Sequence, residues 1–276
     1  GTGEALIQGN LDRNEASSLV STIDKAIGFH TIKASEYPPR TRALPLPTAT
    51  PTRLAVSEPN PSDSNSAVHV ILQSLGRTSK DHVLIEIMNS IMSEPFYEDL
   101  RTKQQLGYIV GTGVRALEDS RTLGLVVQSS VHPTKTLVAA ITKFLDSFHL
   151  KLEALTEGDV AVYTKGMIER KTEPDKQLAV EATRNWAEIT TGQFQFDRIQ
   201  REVAALLDIR KKDLLSFWDS LYRDSGRRIL VTEVVPKSGA ASSPEPSTST
   251  GYRGLDPEGT TLGIDDIQQF RTDRES

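Results

Sequence analysis

Apolar positions along the chain recur with several spacings, and each spacing predicts an element. Ala5-Leu-Ile-Gln8 reads as a short strand closed by a turn at Gly9-Asn10. Asp12 with Glu15 three residues on forms a capping box, after which Ala16, Leu19, Val20, Ile23 and Ile27 share one helical face. Periodicity then vanishes over residues 31–65, which hold seven of the fourteen prolines (38, 39, 45, 47, 51, 59 and 61). Such density opposes helix and central strand alike, so a linker is expected there. From Ala67 to Leu75 the alternation of Val68, Val70 and Leu72 with His69, Ile71 and Gln73 predicts a strand. Thr78 and Asp81 cap a helix carrying Leu84, Ile87, Met88, Ile91 and Met92, with its end expected near Pro95.

Tyr108-Ile-Val110 and Thr122 to Gln128 predict an antiparallel hairpin about Glu118-Asp119. A long amphipathic helix follows Pro133, through Leu137, Ile141, Phe144, Leu145, Phe148, Leu152 and Leu155. Further helices are expected around Val160, Tyr163 and Met167 behind a Thr156/Asp159 cap, around Leu178, Ala182, Trp186 and Ile189, and around Leu214, Trp218 and Leu221. The β-branched run Ile229 to Val235 would close the sheet. Strand, helix, hairpin, helices and strand in that order predict an α+β fold, an antiparallel sheet covered by helices. Residues 238–254, rich in Ser, Thr, Ala, Gly and Pro, are expected to be a disordered tether, and Ile264 to Phe270 a short docking segment.

Composition narrows the function. With 276 residues, 37% hydrophobic and 25% charged, the chain can build substantial cores. No apolar run reaches the roughly 18 residues that would suggest a bilayer span, so no membrane partner is expected. A net charge of −5 with both signs interspersed offers no clustered positive face for nucleic acid. The absence of cysteine rules out disulfides, thiol catalysis and thiolate metal sites, and is in keeping with a cytoplasmic setting.

A zinc peptidase needs two histidines one helical turn apart beside a carboxylate, as H-E-x-x-H or H-x-x-E-H. The five histidines (30, 69, 82, 132 and 149) form neither, so no metal ligand and no catalytic residue is assigned within the chain. His82 and Glu86 read as surface polarity; so do Glu98-Asp99 and Asp265-Asp266, and Gly111-Thr-Gly113 is too short for a phosphate loop. Residues 93–110 stand apart. Arg101 offers a fixed cationic fork and Tyr108 a directional hydroxyl, together able to hold a carbonyl or carboxylate oxygen. The plainer alternative is a salt bridge for Arg101 and packing at the core edge for Tyr108.

Glu94-Pro-Phe96 followed by Leu100-Arg-Thr-Lys-Gln-Gln-Leu-Gly-Tyr-Ile-Val110 resembles the fourth domain of the insulin-degrading enzyme (insulysin) family of inverse-motif zinc metallopeptidases. Glu4-Ala-Leu-Ile-Gln-Gly-Asn10, Asn185-Trp-Ala-Glu-Ile189, Phe196-Asp-Arg198 and Glu202-Val-Ala204 resemble the same family in the same order. The resemblance implies a metallopeptidase-like α/β roll. Residues 1–30 would end a preceding domain, 31–65 link, 66–237 form a complete fourth domain, and 238–276 a low-complexity tail with a docking segment. It further implies the non-zinc-binding C-terminal portion of a metalloendopeptidase that encloses and positions short peptide substrates. Zinc would be bound outside this chain, in an N-terminal half that is its partner. Arg101 and Tyr108 would contact substrate, and the chain alone would be inactive. A catalytically inactive peptidase-fold scaffold or a peptide-binding module is the alternative.

Overall fold

The computed structural model describes residues 3–28, 33, 43–117, 120–237 and, for the backbone, 261–262. The capping expectations are realised. Asp12 accepts from the amides of Asn14 and Glu15 while the Glu15 carboxylate accepts from the Asp12 amide, opening α1 (Arg13–Ile27), which Gly28 ends in the left-handed region. Thr78 and Asp81 exchange the same pair of bonds at the start of α2 (Ser79–Tyr97). Thr156 and Asp159 do so before α4 (Glu157–Thr172).

The chain divides into two compact units, one of residues 42–168 and 202–276, the other of residues 1–41 and 169–201. The first is built on a mixed sheet of β1 (Thr52–Ser57), β2 (Ser66–Ser74), β3 (Ile109–Leu117), β4 (Ser120–Ser129), β5 (Ile229–Val235) and the two-residue β6 (Thr261–Leu262). Their order is β3-β4-β2-β5-β1-β6. The ladders β3–β4, β4–β2 and β2–β5 are antiparallel, whereas β1 runs parallel to β5 and β6. One face is covered by α2 and by α3 (Thr134–Ala154), with α7 (Lys211–Trp218) packed against both helices, over Val68, Val70, Leu72, Leu123, Leu125, Val127 and Val231. Alternation puts His69, Ile71, Gly124, Val126, Ile109, Gly111 and Gly113 on the opposite face, at intermediate or full exposure.

Three local expectations are corrected. Residues 52–57, inside the proline-rich stretch, form β1: Pro45, Pro47, Pro51, Pro59 and Pro61 flank the strand and none lies within it, so its ladder with β5 is intact. The α2 helix does not stop at Pro95. It runs on to Tyr97 because burial of Phe96, edge-on to Phe144 at 5.1 Å, offsets the roughly 3 kcal/mol an interior proline costs. Ala5 to Gln8 form no strand.

In the second unit, α5 (Leu178–Thr190) is tied to the first residue of the next helix by the Glu188 carboxylate, which accepts from both Arg198 Nε and Nη2. Asn185 of the same helix donates to Gln8 at 3.5 Å. The remaining helix, α6 (Arg198–Leu207), starts in this unit, and from Glu202 its residues belong to the first. The expected tether and the docking segment at 264–270 lie outside the described residues, as does the hairpin turn at Glu118-Asp119.

Candidate substrate-contact site

Directly after Tyr97 the helical ladder widens. Residues Glu98–Lys103 form a π-helical turn in which the Gln104 amide reaches back to the Asp99 carbonyl at 3.0 Å. Leu100, fully buried, anchors this turn in the core, and its carbonyl accepts from the Leu106 amide at 3.0 Å. The neighbouring position, Arg101, therefore points away from the core at intermediate exposure. The chain then reverses through Gln105, at a left-handed φ of 52°, buries Leu106, and enters β3 past Gly107.

Gly107 admits no side chain. A Cβ there would sit 2.7 Å from the Gln128 carbonyl carbon and nearer still to its oxygen, both rigid backbone of β4. This close approach turns the next residue outward. Tyr108 is 86% exposed, and the Arg101 guanidinium carbon lies 5.9 Å from its ring centroid. That is a cation–π separation, worth about 0.5–1 kcal/mol at an exposed site. The pair is thus brought together, neither residue spent on the core. A guanidinium fork and a phenol hydroxyl face solvent from one rim of the sheet, an arrangement suited to accepting a peptide carbonyl.

Among the described residues the histidines do not converge on a shared site. His82 corrects its expected surface role: it is buried on α2, with Nδ1 3.8 Å from the Glu202 carboxylate of α6. Helix α2 packs on several sides, and a one-face helical pattern could not show that. Sequence reasoning missed Gln105 and the π-helical turn. It does suggest bulges or close backbone approach at glycines 107, 111 and 113; the close approach is found at Gly107, whereas a Cβ at Gly111 or Gly113 would meet nothing within 4 Å. No group of three or more His, Asp or Glu residues able to hold a metal occurs among the described residues.

Residues 87–186 match the family described as PQQ synthase PqqF-like, C-terminal lobe domain 4. Nardilysin of Mus musculus is 34% identical over 236 residues, covering 84% of this chain and 20% of nardilysin. Insulin-degrading enzyme of Homo sapiens is 28% identical over 229 residues, 82% of this chain and 22% of that protein. The crystal structure of pitrilysin superposes with a TM-score of 0.76 at 17% identity, over 95% of this chain and 26% of that chain. Over most of its length the chain is thus similar to part of nardilysin and of insulin-degrading enzyme, and the family model that matches it describes a C-terminal lobe domain. The chain spans about a fifth of the length of the curated relatives it matches.

Proposed function

We propose that this chain is the part of a zinc metalloendopeptidase that encloses and positions peptide substrates, with zinc held by an N-terminal half of the same enzyme. Short peptides are the substrates and the cytoplasm the setting. Tyr108 donates a hydrogen bond to a substrate carbonyl oxygen and Arg101 supplies positive charge beside it, so that negative charge growing on that oxygen meets preorganised donors. Neither side chain generates a nucleophile, and the chain alone is inactive. The observation that carries this reading is the outward-facing Tyr108 with Arg101 5.9 Å from its ring centroid, a pair with no evident use in a pure scaffold.

The test mixes this chain with a separately produced N-terminal half from a relative and follows peptide cleavage. Cleavage should require both halves and fall at least about tenfold in Arg101→Ala and in Tyr108→Phe, the loss of one transition-state hydrogen bond or more. Association of the halves without cleavage, or cleavage indifferent to both substitutions, would instead make the chain an inactive peptidase-fold scaffold.

A further inference from the structure

Along β3, which follows Tyr108 in the chain, the face of the sheet away from the helices has an unusual composition. Along β3 the residues on that face are Ile109, Gly111, Gly113 and Arg115, and the β3–β4 register sets Gly113 against Gly124. A Cβ added at Gly111 or Gly113 would meet nothing within 4 Å, so the two glycines leave a bare strip open to solvent. At Gly124 the reverse holds: a Cβ would lie 2.6 Å from Nε2 of His69, whose imidazole occupies the place a side chain would fill. The ring thus rests on a glycine floor one strand in from the bare strip. Arg115, exposed at the far end of that strip, lies close enough that its charge, after burial of the ring, helps lower the His69 pKa. Among the described residues neither His69 nor Arg115 has a carboxylate partner.

We infer that His69 and Arg115, over the glycines 111, 113 and 124, form a subsite that selects an acidic side chain of a peptide lying extended along β3. This rests on the proposed substrate-contact role of Arg101 and Tyr108 and adds a specificity to it. The floor suits a peptide because a strand laid along β3 meets no side chain of that strand between Ile109 and Arg115. The charge suits a carboxylate because the guanidinium fork and an imidazole N–H both donate to it. The site is also a ruler. At about 3.3 Å per residue, the five to seven residues from Tyr108 to Gly113 and Arg115 measure about 17–23 Å. The acidic residue therefore belongs about five to seven positions along the peptide from the one held at Tyr108.

The experiment titrates the full chain with a set of otherwise neutral extended peptides in which a single Glu is moved along the sequence, each paired with its Gln counterpart. Glu should improve affinity about three- to fivefold over Gln at one narrow range of positions, as expected for a partly exposed ion pair, and the gain should shrink in high salt. Arg115→Gln and His69→Gln should each bring the Glu-to-Gln affinity ratio, read within each variant, down to about one. Gly113→Val fills the strip, and should weaken every peptide without lowering the denaturation midpoint. Binding that depends on Tyr108 but is indifferent to Glu against Gln would overturn the acidic subsite and leave the contact role of Arg101 and Tyr108 standing. Failure of every peptide to bind would overturn both.

Discussion

Gly107 shows how much a single residue can decide. Its backbone lies so close to the Gln128 carbonyl that a methyl group cannot be inserted without moving one strand off the other. Gly107→Ala should therefore cost roughly 1–3 kcal/mol, the range for forcing volume into a packed place, and displace Tyr108 with it. Gly111→Ala is the matched control, because its Cβ would meet nothing within 4 Å. Its chemical-denaturation midpoint should stay at or above that of the parent, since trading glycine for alanine in a compatible conformation restricts the unfolded chain. Equal midpoints for the two variants would show that the close approach does not constrain the strand entry. Tyr222 is a second residue fully committed by its surroundings. It is buried, stacks on Trp218 with centroids 5.2 Å apart, and donates to Asp146 at 2.7 Å. Burial, then the bond to that carboxylate and its charge, push the phenol's pKa well above its ordinary value, so it stays a donor at any physiological pH.

At the scale of elements, the unit that presents the candidate site is α2 with its π-helical turn. The turn is held from one side only. Leu100 enters the core, and Phe96 one turn earlier starts an aromatic run through Phe144, Phe148, Trp218 and Tyr222, with successive centroids 5.1, 5.8, 4.9 and 5.2 Å apart. The other side of the turn, with Glu98 and Lys103 paired at 3.0 Å in solvent, contributes little. Leu100→Ala should then cost about 2–5 kcal/mol, as buried leucine truncations do. Amide exchange at Gln104 and Leu106, whose N–H groups bond back to Asp99 and Leu100, should accelerate more than exchange in the sheet. Exchange that rises evenly across α2 and β4 would mean that the turn has no separate stability and that Arg101 is placed by the whole core.

For the molecule as a whole, the pH dependence of stability carries a sign that His69 sets. Burial and the nearby charge of Arg115 lower its pKa in the folded state, so the unfolded chain binds that proton more readily. The contribution to stability is accordingly complete above the ordinary histidine value of 6.5 and declines as pH falls below it towards the folded value. In urea unfolding between pH 7.5 and 5.5, His69→Gln should flatten part of the parent's decline; an unchanged slope would show that His69 is not the group responsible. Larger organisation also appears only at this scale. Residues 169–201 cluster with the start of the chain and not with the sheet that both precedes and follows them in sequence.

How much of this was legible beforehand follows from the range of the forces involved. Capping boxes at Asp12, Thr78 and Thr156 act over three residues, and the alternation of Val68, Val70 and Leu72 repeats every second one, so the sequence alone identified those elements and the α+β class. Arg101 and Tyr108 could be singled out as residue types able to hold an oxygen. Their approach to 5.9 Å could not, because it depends on a π-helical turn, a left-handed Gln105 and a glycine pressed against a strand twenty-one positions later. The place of β1 beside β5, the burial of His82 against Glu202 and the seat of His69 on Gly124 were likewise decided by tertiary structure. Each is a contact between segments distant in sequence. Local pattern records which face of an element is apolar; only packing determines what that face, and the one behind it, will meet.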